Sequence, residues 1–264
     1  MLTDTPSDEW RAAMRNVRLY SLLLLFVLLA LWEMLAKNMS ELVLPAPSVI
    51  FFTMLDGMRS GYLFPHIIRT TLEVVLGLFC GGLFGFFFGI LMGEVEFLRK
   101  LLFPYVIASQ AVPKLALAPL FILWFGFGMT SKVVITALIC FFPLLENTVT
   151  SIQYVDKQKE ELFRMLNASR WQTLIHLKIP AGMPGILAGL RVAVVLAVVG
   201  AVVGEFIGGS EGLGALIIAS QGMMDTPLMF VSLLLLTIIG MFLYQLVAIL
   251  EKRWLKPYTR EKRK

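Results

Sequence analysis

A few polar and charged side chains stand inside long apolar stretches of this sequence, and their chemistry suits the passage of a solute better than catalysis. Their positions are Gln110, Lys114, Glu146, Asn147, Glu205 and Gln221. Ionisable groups at membrane depth are costly, and they often mark the route of an ion or a solute. All six are therefore candidates for lining a polar path. Each could instead be structural, since Glu146 or Glu205 could pair with Lys114 or Arg191, and Glu205 could reach the lipid–water interface. Arg191 and Glu205 lie about 21 Å apart along one helix, so those two cannot pair within one chain.

Catalysis and metal binding need residue types that this sequence hardly offers. It has two cysteines, Cys80 and Cys140, both inside apolar runs, and only two histidines. These are too few for an ordinary metal cluster, and no constellation of His, Asp or Ser at membrane depth suggests an enzyme. The phosphate-binding pattern Gly-x-x-x-x-Gly-Lys-Ser/Thr is missing, and the glycine-rich stretch 208–214 has no Lys. We therefore expect no catalytic residue, metal or cofactor in this chain.

The composition is that of a membrane protein. Of 264 residues, 58% are hydrophobic and 16% are charged, whereas soluble proteins carry about 25% charged residues. The apolar runs reach the roughly 20 residues that a helix needs to cross a bilayer. We predict an all-α membrane protein with a tail at 1–16, a transmembrane domain at 17–250 and a basic tail at 251–264. Its six predicted transmembrane helices lie at about 17–36, 72–93, 101–125, 133–152, 186–207 and 228–250.

The distribution of lysine and arginine predicts which side of the membrane each connection faces. Six spans place both termini on one side, together with the connection 154–185, and this side holds most of the basic residues. The other side holds only Lys37, Arg59, Arg69 and Lys132. Because Lys and Arg are enriched in cytoplasmic connections, we predict that both termini and 154–185 are cytoplasmic. The net charge of +5 thus reflects topology, and we expect no binding of nucleic acid.

Glycines and prolines distinguish two of the predicted spans. Five glycines recur at a spacing of four in the second span: Gly77, Gly81, Gly85, Gly89 and Gly93. They form one smooth helix face, which favours close packing of a neighbouring helix. The third span contains Pro104, Pro113 and Pro119. A helix broken by proline inside a membrane needs protein or a cavity beside it.

The connection 154–185 is too regular for a simple linker, and we call it the 154–185 knob. Residues 160–166 predict a short helix, and 167–168 predict a break after it. Ser169 then opens a second helix with a capping-box pattern, and Pro180 would end that helix. Each short helix has an apolar side. That side could pack on the ends of the protein's own spans or dock into a soluble partner.

The knob resembles the EAA loop of binding-protein-dependent ABC importer permeases. The stretches Glu161–Ser169 and Leu177–Pro180 carry the Glu that opens this motif and the Pro that closes it, with the spacing intact. Leu162 and Phe163 replace two alanines of the motif, and Asn167 replaces its glycine. Asparagine tolerates the left-handed backbone that a glycine would supply, so we expect the turn to form.

Other parts of the chain are similar to the branch of these permeases that serves nitrate, sulfonates, taurine and bicarbonate. The similar stretches are 44–48, 113–119, 123–126, 184–191, 204–208 and 212–214. The stretches 125–143 and 221–227 look closer to permeases for thiamine-pyrimidine precursors or riboflavin. The resemblance covers nearly the whole chain. It implies the type I fold of ABC importer permeases, in a bacterial plasma (inner) membrane.

The resemblance also implies partners. The chain would pair as a homodimer or with a close relative, and form the path for a small polar solute such as nitrate, a sulfonate, taurine, a thiamine-pyrimidine precursor or riboflavin. Cytosolic ABC ATPase subunits would bind ATP, and an extracytoplasmic binding protein would deliver the solute. The implied ATPase-coupling residues are Glu161, Leu162, Phe163, Asn167, Ala168, Ser169 and Pro180. The alternative is a secondary transporter or channel that needs no ATP and leaves the 154–185 knob unused.

Overall fold

The computed structural model describes the backbone of residues 8–261 and the side chains of residue 17 and residues 19–253. Over these residues the backbone forms helices and turns, without a strand. The helices are α1 (Asp8–Lys37), α2 (Pro47–Arg59), α3 (Leu63–Glu94), α4 (Glu96–Ala111), α5 (Ala118–Phe125), α6 (Met129–Gln153), α7 (Lys157–Met165), α8 (Arg170–Thr173), α9 (Ile179–Gly208), α10 (Leu213–Gly222) and α11 (Thr226–Glu261). A 3₁₀ turn at Lys114–Leu117 precedes α5, and a π-helical segment at Leu174–Lys178 precedes α9.

Five helical runs of the described chain are long and apolar enough to cross a membrane. They are Leu19–Lys37, Leu63–Glu94, Met129–Gln153, Arg170–Gly208 and Thr226–Arg253. A sixth results if α4 is counted together with the 3₁₀ turn and α5. The helical membrane fold predicted from the sequence is therefore confirmed, while its third span is not one continuous helix.

The break in the third span lies at residues 112–113, and the helical pieces on its two sides are inclined at 83°. Proline has no backbone N–H to donate, and it forces the residue before it out of the helical region. Val112, which precedes Pro113, accordingly has an extended ψ of 127°. Pro104 lies inside α4 and Pro119 in the first turn of α5, where each is accommodated in the helix.

α6 is the central helix of the bundle, and it packs most extensively against α3 and α9. The five glycines of α3 that are spaced by four all face it. A Cβ atom added at any of them would lie between 2.2 and 2.8 Å from an atom of α6. On the other side of α6, Gly189 and Gly200 of α9 approach Asn147 and Thr136 with similar closeness. The glycines of α3 and α9 thus let the backbones of these two helices approach α6 closely.

α1 lies at the edge of the bundle. Its apolar side chains between Leu19 and Leu31 are exposed in the single chain, and a surface of this kind favours a surrounding of lipid. At its end the carboxylate of Glu33 accepts hydrogen bonds from the N–H and the hydroxyl of Ser48, at 3.1 and 2.8 Å. These bonds attach α1 to the start of α2.

Substitution of Gly81 by alanine should weaken the contact between α3 and α6. The new Cβ would lie 2.2 Å from the carbonyl oxygen of Ala137, and a backbone atom cannot move aside without shifting a helix. We expect the free energy of unfolding to fall by about 1–3 kcal/mol. Thermal unfolding of the purified protein in detergent measures the effect.

Gly82→Ala is the matched control for this prediction. Its Cβ would meet only the Leu144 side chain, at an ordinary 3.6 Å. We expect its melting temperature to equal or slightly exceed that of the original protein, because alanine favours a helix more than glycine does. Equal melting temperatures for Gly81→Ala and Gly82→Ala would contradict the proposed tightness of the interface.

Candidate functional site

The first helix of the 154–185 knob ends in a tight left-handed turn. The N–H of Ala168 donates to the carbonyl of Phe163, and the N–H of Asn167 donates to that of Arg164, both at 3.0 Å. This pair of bonds defines a Schellman turn, whose reversing residue needs a positive φ. Asn167 has a φ of 54°, as predicted from the sequence. The turn reverses the chain between α7 and α8.

The second helix of the knob starts with the predicted capping box. The N–H of Gln172 donates to the hydroxyl oxygen of Ser169 at 3.2 Å, and the N–H of Ser169 donates to the side-chain oxygen of Gln172 at 2.8 Å. Two N–H groups that the helix start leaves free are thereby paired. The turn and the cap together fix the angle between α7 and α8 by local bonds alone.

The knob exposes several large apolar side chains. Met165 is 80% exposed and Trp171 is 68% exposed, and Leu162 and Leu166 are exposed beside them. Glu161 is also exposed, while Phe163 and Ala168 are partly buried. An apolar surface on such a small helical pair is typical of a site where a partner binds.

Pro180 does not end a helix, so that prediction is wrong. The helical run continues from Arg170 to Gly208, and Pro180 lies in the first turn of α9. Proline has no N–H to donate to the preceding turn, and the helical run is irregular at that point. The preceding segment Leu174–Lys178 is a π-helix, a wider turn that often occurs at functional positions. The second half of the knob is therefore continuous with a membrane-spanning helix.

Lys178 joins the knob to the rest of the bundle. Its Nζ lies 2.9 Å from a carboxylate oxygen of Glu94 at the end of α3 and 3.4 Å from one of Glu160 in α7. The Lys178 side chain is only 16% exposed. Because the ammonium is the shared cation of two carboxylates, it holds α7 against the end of α3.

Four of the candidate path residues line one cavity of 530 Å³ between α4, α6 and α9. They are Gln110, Lys114, Glu146 and Asn147. The amide nitrogen of Gln110 donates to Glu146, and that of Asn147 donates to the carbonyl of Pro143 at 2.8 Å. The Lys114 ammonium lies 3.9 Å from the centre of the Phe142 ring, a favourable cation–π distance. The cavity borders the break of the third span, so the prolines there lie beside a polar space.

Residues 81–256 of the chain match the family described as "Binding-protein-dependent transport system inner membrane component". The chain belongs to this family. It is a multi-pass permease, the translocation subunit of such a transport system.

Individual relatives of this permease carry the names of transport systems. The riboflavin transport system permease protein RibX of Chloroflexus aurantiacus is 38% identical over 235 residues, which cover 87% of this chain and 88% of the relative. The formylaminopyrimidine transport permease protein ThiX of Halalkalibacterium halodurans is 34% identical over 230 residues, covering 87% and 92%. The solved structure of an amino acid ABC transporter with histidines resembles this chain with a TM-score of 0.61 at 20% sequence identity. The match covers 76% of this chain and 98% of that chain. This structural likeness supports the permease fold alone.

Glu205 lies apart from the polar cavity of the permease, in a buried network near the end of α9. The side chain is 1% exposed. Its carboxylate accepts hydrogen bonds from the hydroxyl of Thr70 at 2.6 Å and from the N–H of Gly214 at 2.5 Å. A Cβ on Gly212 would lie 2.2 Å from the same carboxylate, and Gly212 has a φ of 125°. The glycine-rich stretch 208–214 is thus folded around a buried carboxylate.

Glu73 and Lys132 form a buried ion pair beside Glu205. The Lys132 ammonium lies 3.0 Å from a carboxylate oxygen of Glu73, and the two side chains are 3% and 0% exposed. Arg69 contacts the same oxygen at 3.1 Å. The sequence assigned Lys132 to a connection between spans, but it lies in the first turns of α6 and joins that helix to α3. Its charge is neutralised inside the bundle.

The remaining candidates have other positions. Gln221 is exposed at the end of α10, away from the residues that line the cavity. Arg191 pairs with neither Glu146 nor Glu205; its guanidinium lies 3.3 Å from the carboxylate of Glu251 on α11. The sequence analysis missed Glu73 and Lys178 as ionic partners. Glu73 is a single charge within an apolar run, which is a signal for a buried ion pair. The sequence does not show which residue is its partner.

Replacement of Lys178 by methionine should destabilise the junction between the knob and α3. Two partly buried carboxylates, Glu94 and Glu160, would lose their shared cation, and we expect a loss of about 1–3 kcal/mol in the free energy of unfolding. Lys100→Met is the control, since Lys100 pairs with Glu96 at the same 2.9 Å but is 73% exposed. Exposed pairs contribute little. Thermal unfolding compares the two variants, and an equal effect of both would refute the role of Lys178.

Replacement of Lys132 by methionine should have a larger effect. It leaves the fully buried carboxylate of Glu73 with only the partly exposed Arg69 as a cation, so we expect a loss near the lower end of the roughly 3–5 kcal/mol that breaking a buried ion pair costs. The double variant Lys132→Met with Glu73→Gln should recover part of the loss, because glutamine carries no charge to neutralise. Thermal unfolding of both variants in detergent tests this. A double variant that is no more stable than the single one would argue against the ion pair.

Proposed function

We propose that this permease is the membrane subunit of an ATP-driven importer and that a separate cytosolic ATPase moves it by docking on the 154–185 knob. The observation that carries the proposal is the exposed apolar surface of the knob, formed by Leu162, Met165, Leu166 and Trp171 on a locally fixed turn. An apolar helical pair of this kind is suited to insertion in a groove of a partner.

The charge distribution supports a cytoplasmic position for the knob. Basic residues are concentrated in the knob and in the two terminal tails, and such segments remain on the cytoplasmic side. A cytosolic ATPase could therefore contact the knob. In this proposal Glu161 lies on the contact surface, while Asn167, Ala168 and Ser169 keep the turn in shape and Pro180 begins the helix that carries motion into the membrane.

Partner proteins carry out the other functions of the importer. ATP is bound and hydrolysed by the ATPase, so the permease itself needs no cofactor. A binding protein outside the membrane delivers the solute, and two copies of the permease form the complete path between them. Relatives named for riboflavin and formylaminopyrimidine transport support a small polar solute as the cargo.

Substitution of Asn167 by valine should weaken the binding of the ATPase to the permease. A β-branched residue disfavours a φ of 54° by about 1–3 kcal/mol, so the Schellman turn would open and displace α8. We expect at least a tenfold loss of ATPase subunit that copurifies with the permease, and a similar loss of ATP-dependent uptake in proteoliposomes, while insertion in the membrane is retained.

Asn167→Gly provides the matched control, because glycine adopts positive φ without strain. It should bind the ATPase and support uptake as the original protein does. Normal copurification and uptake with Asn167→Val would disprove the role of the turn. Solute uptake that proceeds without any ATPase would instead favour a secondary transporter or channel.

A further inference from the structure

The cavity between α4, α6 and α9 has a volume and a lining that favour a particular kind of solute. Its 530 Å³ lies within the range of about 300–1,000 Å³ that small-molecule sites have. The polar part of the lining consists of Gln110, Lys114, Glu146 and Asn147. The rest is apolar and includes Val112, Leu115, Ile139, Phe142, Val192 and Leu196.

The polar side chains leave both acceptors and donors for a solute. Gln110 donates to Oε1 of Glu146, which leaves Oε2 to accept a further bond. Asn147 uses its amide nitrogen on the carbonyl of Pro143, so its side-chain oxygen remains an acceptor. Lys114 supplies the donor of the set, since its ammonium lies over an aromatic ring and no carboxylate of the described residues is within salt-bridge distance.

This combination disfavours a simple anion. Nitrate or an alkyl sulfonate carries acceptors only, so it could bind Lys114 but would leave the oxygens of Glu146 and Asn147 unpaired. Polar groups that lose water to a bound solute without gaining a partner weaken binding. The negative charge of Glu146 would also repel the anion in the low dielectric of the membrane interior. The formal charges of Lys114 and Glu146 cancel, which suits a solute without net charge.

The apolar part of the lining and the nearby backbone break are consistent with a ring. Aliphatic side chains line the cavity from α6, from α9 and from the segment 112–115, and a planar ring buries much apolar area against such walls. The break at Val112–Pro113 lies in this lining. Irregular backbone at membrane depth is tolerated where it borders a water-filled cavity, and broken helices form substrate sites in other transporters.

We propose that this cavity binds an uncharged nitrogen heterocycle during its passage through the permease. The ring edge of the solute donates N–H groups to Glu146 and Asn147 and accepts a bond from Lys114, while the faces of the ring contact the aliphatic walls. The assignment rests on the proposed function, and it selects heterocyclic cargo over nitrate and the sulfonates.

Equilibrium binding to the complex of the permease with its ATPase in lipid nanodiscs tests the assignment. The probes are riboflavin and cytosine, which have donors and acceptors on a ring edge, methanesulfonate, which has acceptors only, and taurine, which has both but no ring. We expect at least one heterocycle to bind, with no competition from the other two solutes. Glu146→Gln and Lys114→Met should each weaken that binding about tenfold or more, since each removes a charged hydrogen-bond partner.

Glu41→Gln is the matched control, because Glu41 is an exposed glutamate outside the cavity, and it should bind the heterocycle normally. Retention of the ATPase by every variant verifies folding and assembly. Binding of methanesulfonate or taurine in place of the heterocycles, binding of none of the four probes, or unchanged heterocycle affinity in both cavity variants would each overturn the assignment. Failure of the ATPase to assemble with the original permease would instead refute the proposed function.

Discussion

Close backbone contact between α6 and its two neighbours is the interaction on which the rest of this permease depends. In lipid, apolar side chains gain little by exchanging hydrocarbon for another helix, so association relies on van der Waals contact at short range. Glycines of α3 and α9 allow that contact on both sides of α6. With both faces occupied, α6 has little freedom to slide or rotate. The polar groups that it carries are therefore held at defined depths.

The packing around α6 also connects the 154–185 knob with the cavity. Gly182 and Gly185, in the first turns of α9, lie against Ser151 of α6, and Lys178 attaches the same region to α3. The helical run from Arg170 continues to Gly208 and contributes Val192 and Leu196 to the cavity wall. The knob and one wall of the cavity therefore belong to the same helical run, with the π-helical segment at Leu174–Lys178 between them.

Features that depend on neighbours in the sequence could be predicted, and those that depend on distant partners could not. The spacing of five glycines, the capping box at Ser169 and the left-handed turn at Asn167 follow from local rules, and the structure contains each of them. Pro180 does not end a helix, because the run passes through a π-helical turn just before it, and a local rule about proline does not predict such a turn.

Long-range pairing accounts for the other differences. Glu205 has the residue type of a path-lining group, yet Thr70 and Gly214 surround it with hydrogen-bond donors. Glu73 and Lys132 belong to different helices, and a sequence does not state which charges meet. The prolines of the third span predict a break in its helix. The angle at Val112–Pro113 depends on how α5 packs against α6, which the sequence does not show.

Charged residues within the spans of this permease have two distinct environments, and the available space around them distinguishes the two. The pair of Glu73 and Lys132 is enclosed by packed helices, and the Lys132 ammonium is held by Oε1 of Glu73 and by the carbonyl of Glu211. Glu146 and Lys114 instead border an open volume and retain unused hydrogen-bonding capacity. A buried charge with committed partners stabilises one conformation, whereas a charge beside a cavity can exchange water for a solute. An intramembrane charge therefore indicates a functional site when it borders a cavity. Residue type alone does not show which of the two environments a charge has.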